Sequence, residues 1–93
     1  MAKKHVFFNG VATTTEQTEF VDIPDVFMIA NDSDTNNLYL AFDESISNGN
    51  YIVIKPDEIF ENFEDLYCKN LYYKSSAGTV SFRIYGKNIN STI

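Results

Sequence analysis

The stretch from Asp25 to Phe42 constrains the fold more than any other part of the chain. Two runs, Val26–Ala30 and Leu38–Phe42, flank the polar segment Asn31-Asp32-Ser33-Asp34-Thr35-Asn36-Asn37. Each run has a period of two, which sends successive side chains to opposite faces of a strand. Val26, Met28 and Ala30 then share one face, with Phe27 and Ile29 on the other. Leu38, Leu40 and Phe42 oppose Tyr39 and Ala41. Both faces of both runs are largely apolar. Strands of this kind must be covered on both sides, by a second sheet or by another chain. The two runs are expected to pair as a central hairpin turned at 31–37.

The remaining segments read as more short strands punctuated by turn residues. Lys4–Phe8 is a first strand, ended by Asn9-Gly10. Val11–Thr18 is Thr-rich and reads as an exposed edge strand or a loop. Glu19–Ile23 alternates, and Pro24, with no N–H to donate, stops it. Asn48-Gly49-Asn50 is a strong hairpin signal ahead of the strand Tyr51–Lys55, where Ile52 and Ile54 oppose Tyr51 and Val53. Pro56-Asp57 turns the chain. Residues 58–67 fit either an extended segment or one short helix: Ile59, Phe63 and Leu66 fall on one helical face and Asp57 stands where a cap would. Leu71–Lys74 and Thr79–Tyr85 read as a final hairpin around Ser75-Ser76-Ala77-Gly78, closed by Gly86. Six to eight short strands at this spacing predict an all-β antiparallel sandwich or small barrel. With 93 residues, the chain is expected to be a single β domain over 1–93 with a modest core.

Charge narrows the partners. The chain carries 13 Asp+Glu against 7 Lys+Arg, a net charge of -6. Arg83 is its one arginine. Nucleic acid and anionic membrane surfaces both call for the opposite balance, so neither is an expected partner. No run approaches the length of a membrane span, and Val6-Phe7-Phe8 is too short for a secretion leader. One cysteine, Cys68, makes no internal disulfide, which fits a reducing compartment. Aromatic residues make up 15% of the chain, all of them Phe or Tyr. They favour strands and supply large contact area at interfaces.

No catalytic or cofactor-binding motif emerges. Asp32, Asp34, Asn36 and Asp43 match part of a calcium loop. Asn37 stands where its glycine belongs, and residues 38–42 read as strand, so a solvated turn held by Asx side chains is the simpler reading. His5 and Cys68 are single residues of their types and give no zinc spacing. As a pair they would be a Cys–His nucleophile; as single residues they are a surface histidine and a small core filler. Asp57, Glu58, Glu61, Glu64 and Asp65 read as a solvated acidic face rather than a paired-carboxylate site. Tyr51, Tyr72 and Tyr85 form an exposed row that either stacks on sugar rings or pairs across strands.

Three stretches carry a family resemblance. They are Phe27-Met28-Ile29-Ala30-Asn31 with Asn37-Leu38-Tyr39-Leu40-Ala41-Phe42-Asp43; Asn48 to Glu58; and Leu71 to Gly86. Over residues 20–86 the order of strands and turns resembles the small acidic structural proteins of tailed bacteriophages. Asp57 departs from the pattern, where glycine is usual. The resemblance implies a non-enzymatic virion protein without a cofactor, made in the bacterial host cytoplasm. A capsid decoration, cement or head-fibre-type role comes first, acting by protein–protein contacts. A tail or neck adaptor is a second possibility; a third, resting on the row Tyr51, Tyr72 and Tyr85 and not on the resemblance, is a carbohydrate-binding or adhesin module.

A two-layer sandwich needs only one apolar face per sheet, so some aromatic and aliphatic side chains are left over. Phe27, Ile29, Tyr39 and Tyr51, with Phe60 and Phe63, are the expected interface set. Their partner would be a capsid or other virion protein, further copies of this chain, or both. The alternative is that residues 58–67 fold back and cover them.

Overall fold

The computed structural model describes residues 5–61 and 66–87. Eight strands run through them: β1 (His5–Ala12), β2 (Gln17–Ile23), β3 (Asp25–Asn31), β4 (Leu38–Phe42), β5 (Ile52–Ile54), β6 (Ile59–Glu61), β7 (Cys68–Ser75) and β8 (Val80–Lys87). They form two four-stranded antiparallel sheets, ordered β1-β8-β3-β6 and β2-β7-β4-β5. A single 3-10 turn, Ile46–Asn48, lies between β4 and β5. The architecture is the expected all-β sandwich.

The pairing follows one rule. β1 pairs with β8, β2 with β7, β3 with β6 and β4 with β5. The chain therefore behaves as one long ribbon doubled back at the β4–β5 connection. The ribbon is then rolled so that β3 also meets β8 and β4 also meets β7. This order is that of a jelly roll. Among the described strands, β4 and β5 are the only sequence neighbours that pair; the other connections carry the chain from one sheet to the other.

Two expected hairpins are thereby corrected. β3 and β4 lie in different sheets, and so do β7 and β8. Residues 32–37 and 76–79 are crossovers, not hairpin turns. As neighbours in one sheet, β3 and β4 would set their apolar residues side by side. As members of facing sheets they set Val26 and Ile29 across the core from Leu38 and Leu40, and all four are fully buried. Burial of this size favours the crossover, at about 1.5–3 kcal/mol per large aliphatic side chain.

Asn31 holds the first crossover. Its side chain is buried; Nδ2 donates to Asn36 O and Ile54 O, both at 2.9 Å, and Oδ1 accepts from Ser33 N at 2.8 Å. One amide thus fixes the end of β3, the turn and β5. The second crossover is tied by Ser75 Oγ donating to Gly78 O at 2.7 Å and by Ser76 Oγ accepting from Asn37 N at 3.0 Å.

Three local expectations also change, and one open alternative is decided over 59–61. Asn9-Gly10 does not end β1, because both residues stay in register with β8, opposite Arg83 and Phe82. Gly10 is needed there for space: a Cβ would lie 2.6 Å from Phe82 Cζ and 2.9 Å from Phe8 Cε2. Gly86 likewise sits inside β8, where a side chain would overlap Ile23. Phe27 and Ile29 do not share a face. The β3–β8 register shifts between Val26 and Met28, a β-bulge that turns both Val26 and Ile29 inward and leaves Phe27 outside. Residues 59–61 are extended and pair with Met28–Ala30, so no helix begins at Glu58. Asp57 takes a positive φ of 59° and Glu58 N donates to Lys55 O at 3.0 Å. Pro56-Asp57 is thus a tight turn with Asp at the position glycine prefers. Of the segment 58–67, read as either extended chain or a short helix, residues 62–65 lie outside the described residues.

Candidate interaction surface

The inner faces close the core, so any binding surface must come from the outer faces, the edges or the loops. On the first sheet the outward positions of β1 and β8 pair Phe7 with Tyr85, Asn9 with Arg83 and Val11 with Ser81. Tyr85 is the centre of an aromatic cluster. Phe7 stacks on it at 4.9 Å between centroids, Phe27 meets it edge-on at 5.7 Å, and His5 stacks at 5.8 Å. The His5 Nδ1 lies 2.8 Å from the Tyr85 hydroxyl. Lys87 Nζ sits 4.9 Å above the Phe27 ring, a contact worth about 0.5–1 kcal/mol at an exposed site. Phe7 is 70% exposed, Val11 54% and Ile59 52%. The bulge creates this cluster, because the extra residue it inserts is the one that presents Phe27. Across the same face Arg83 grips Asp32 with two bonds, Nε to Oδ2 at 2.8 Å and Nη2 to Oδ1 at 2.9 Å.

The outer face of the second sheet is also aromatic. Tyr39 and Tyr51 meet edge to face at 5.6 Å, and Lys74 Nζ lies 5.9 Å above Tyr39. With Ile46, Ser47 and Gly49 they line an open depression of about 390 Å³. The 3-10 turn builds its rim. Ser45 Oγ accepts from Ser47 N at 3.2 Å, and Gly49 closes the turn at φ 88°. Glu16 reaches in from the β1–β2 loop and accepts from Ile46 N at 2.7 Å. Phe20, on β2 at the far edge of the same sheet, is 62% exposed.

The expected interface set does not form one patch. Phe27 lies on the outer face of the first sheet, Tyr39 and Tyr51 on that of the second. Ile29 is fully buried in the core, and Phe60 packs against the core from β6. Phe63 lies outside the described residues. The row Tyr51, Tyr72 and Tyr85 is split in the same way: Tyr72 pairs outward with Ala41 in the second sheet, while Tyr85 belongs to the first. Phe7, Val11, Phe20 and Ile59 are exposed residues that the sequence reading passed over. For Phe7 the available signal was the alternation His5, Phe7, Asn9, Val11, continued through Asn-Gly.

The other candidate groups have structural partners. Asp32 is held by Arg83, while Asp43 Oδ1 accepts from Asn70 N at 2.7 Å and Lys69 N at 3.2 Å. These carboxylates therefore brace different crossings of the chain. Asp34 is exposed, and Asn36 lends its carbonyl to Asn31. Glu58 Oε1 accepts from Lys55 N at 2.9 Å and closes the Pro56-Asp57 turn. Glu64 and Asp65 lie outside the described residues. Cys68 is fully buried; desolvation, with the charge of Asp43 adding to it, pushes its thiol up to about 12. A thiol held so high has little thiolate to offer. His5 is on the outer face of the other sheet, so the two do not form a nucleophile–base pair. Tyr67 donates to Asp22 Oδ1 at 2.8 Å, which raises the phenol above its ordinary range.

No protein-family model matches the chain, and no curated protein matches it.

Proposed function

We propose that this chain is a structural component of a bacteriophage particle, a capsid decoration, cement or head-fibre-type protein that works by protein–protein contact. The observation that carries the reading is the aromatic cluster on the outer face of the first sheet, where exposed Phe7 joins half-buried Phe27 and Tyr85 and exposed Val11 lies beside it. Contiguous apolar groups of this kind are uncommon on free-standing domains and mark contact surfaces. Aromatic anchors ringed by polar groups carry most of the binding energy in such contacts. The family resemblance of the strand order supports the reading. So does the jelly-roll winding, which viral capsid domains use, although as fold analogy it is a weaker support than the surface. A net charge of -6 suits a place on the outside of a particle, away from packaged DNA.

The action would be mechanical. A domain seated across neighbouring capsid subunits adds buried interface that internal pressure must break. The test is titration of the isolated protein onto particles stripped of it, with Phe27→Asp as the variant. Binding in the micromolar range or tighter that the variant weakens at least about tenfold, some 1.4 kcal/mol, is the expected result. Failure of the wild-type chain to bind any virion fraction would overturn the proposal. Localising the protein in purified particles separates capsid from neck or tail.

A second reading rests on the depression at Tyr39, Tyr51 and Lys74. An exposed tyrosine face beside hydroxyl and amine donors suits a saccharide ring, and lectin domains share this winding. A glycan array answered by loss of binding in Tyr51→Ala would favour it.

A further inference from the structure

We infer that β1 is a pairing edge, and that its occupant is the β1 of a second copy of this chain. The inference goes beyond the proposed function and does not depend on what the outer sheet faces bind. A strand at the end of a sheet exposes a row of unpaired N–H and C=O groups, and proteins normally blunt it. Four strands hold such positions: β1 and β6 in the first sheet, β2 and β5 in the second. Three of them are blunted. β5 and β6 are three residues long, and Pro56 and Glu58 stand between them. β2 carries Glu19, loses register between Phe20 and Ile23, places Asp22 at φ 46°, and runs into Pro24.

β1 has none of these devices. Its eight residues stay in unbroken register with β8 and include no proline, lysine, aspartate or glutamate. Its edge is about 27 Å long at strand rise. Among the described residues no strand pairs with its outer side.

Charge identifies the occupant. Two copies of a chain of net charge -6 repel one another over most of their surfaces. β1 and its neighbour β8 contain no acidic residue, so this edge is where two copies approach at least cost. Antiparallel pairing of a strand with itself is isologous and closes as a dimer about a two-fold axis perpendicular to the sheet. It would join two four-stranded sheets into one of eight. Phe7 and Val11 of both copies would then lie on a common outer face, continuous with the Tyr85 cluster.

Sedimentation velocity of the full chain across the micromolar range, with amide hydrogen exchange at low and high concentration, tests this. The expected result is a monomer–dimer equilibrium in which the concentration-dependent protection falls on His5–Ala12. Phe7→Lys places a charge on the edge at a side chain that is 70% exposed, so the monomer keeps its fold. It should weaken dimerisation at least about tenfold. Val11→Lys, at the other end of the strand, repeats the test if the first variant folds poorly. Phe20→Lys, at a side chain also largely exposed but on the other sheet, should leave the dimer unchanged. A chain that stays monomeric throughout overturns the inference. So does a dimer that Phe20→Lys breaks while Phe7→Lys and Val11→Lys do not.

Discussion

Asn31 offers the sharpest test of the fold, because one buried amide holds three separate segments. Truncation by Asn31→Ala removes the bonds to Ile54 O and Asn36 O and leaves Ser33 N without its acceptor. A typical hydrogen bond contributes about 1 kcal/mol net, and a buried group left unpaired costs about 1–3 kcal/mol. Ile54 is fully buried, so its carbonyl stands at the costly end. The sum is roughly 2–4 kcal/mol, or about 10–25 °C in Tm for a domain of this size. Urea unfolding followed by circular dichroism measures it as a lower midpoint at unchanged slope. Asn31→Asp gives an independent arm. It keeps the acceptor for Ser33 N but turns a second oxygen towards two carbonyls. Burial among acceptors raises the new carboxyl above its unfolded value near 3.9. The charge penalty is therefore absent below that value and grows as pH rises through the neutral range. Asn31→Asp should be the worse variant at neutral pH and recover towards acid. A loss below about 1 kcal/mol for Asn31→Ala, with no pH dependence for Asn31→Asp, would refute the role given to this side chain.

Two further predictions follow from packing and titration. Gly86→Ala should destabilise by about 1–3 kcal/mol or more in the same urea assay, since its Cβ meets Ile23 and lies 2.9 Å from the backbone oxygen of Asp25, which cannot move aside alone. A neutral result would mean that β3 and β8 separate more easily than their register implies. Stability should fall on the alkaline side: the Cys68 thiol is pushed up to about 12 against an ordinary value near 9, so above that value the unfolded chain binds fewer protons than the folded one. The contribution is whole below about pH 9 and declines as pH rises towards 12, by about 1.4 kcal/mol at pH 10. Cys68→Ala should flatten this decline while lowering stability at neutral pH, and a wild-type profile flat from pH 8 to about 10.5 would contradict the assignment.

Strand existence was legible in the sequence because alternation is a local signal. Ile52 and Ile54 against Tyr51 and Val53, and Val80, Phe82 and Ile84 against Ser81 and Arg83, read directly as inner and outer faces. Pairing was not legible, because alternation fixes a side chain's face but not its neighbour. Ser75 to Gly78 looks like a hairpin turn when only the chain around it is considered. Its actual role is set by β1, nearly the whole chain away, which takes β8 as its own partner. The bulge at Phe27 left no mark either. Val26 and Ile29 are three apart, and only the need to bury both reveals the extra residue between them. Asn9-Gly10 misled for the same reason: that glycine answers to the rings of Phe8 and Phe82, not to a turn. Of the surface residues, Tyr39 and Tyr51 were readable because β4 and β5 form the one local hairpin among the described strands. The Phe7–Tyr85 pair joins strands that the sequence places at opposite ends.

The winding has a consequence for when the surface exists. β8 is the last described strand and lies between β1 and β3 in its sheet. Every member of the aromatic cluster touches it: Phe7, His5 and Phe27 are brought together only by Tyr85. Before β8 docks, β1 has no partner in the described sheet and Phe27 has no ring to meet. The contact surface is therefore a product of the completed fold rather than of any local segment. Folds dominated by such long-range pairing form slowly, because the loop must close before its contacts stabilise it. A partner that reads the Tyr85 cluster would accordingly engage finished domains and pass over partly folded chains. The same dependence applies to the β1 edge, which becomes a straight, eight-residue template only once β8 has fixed its register.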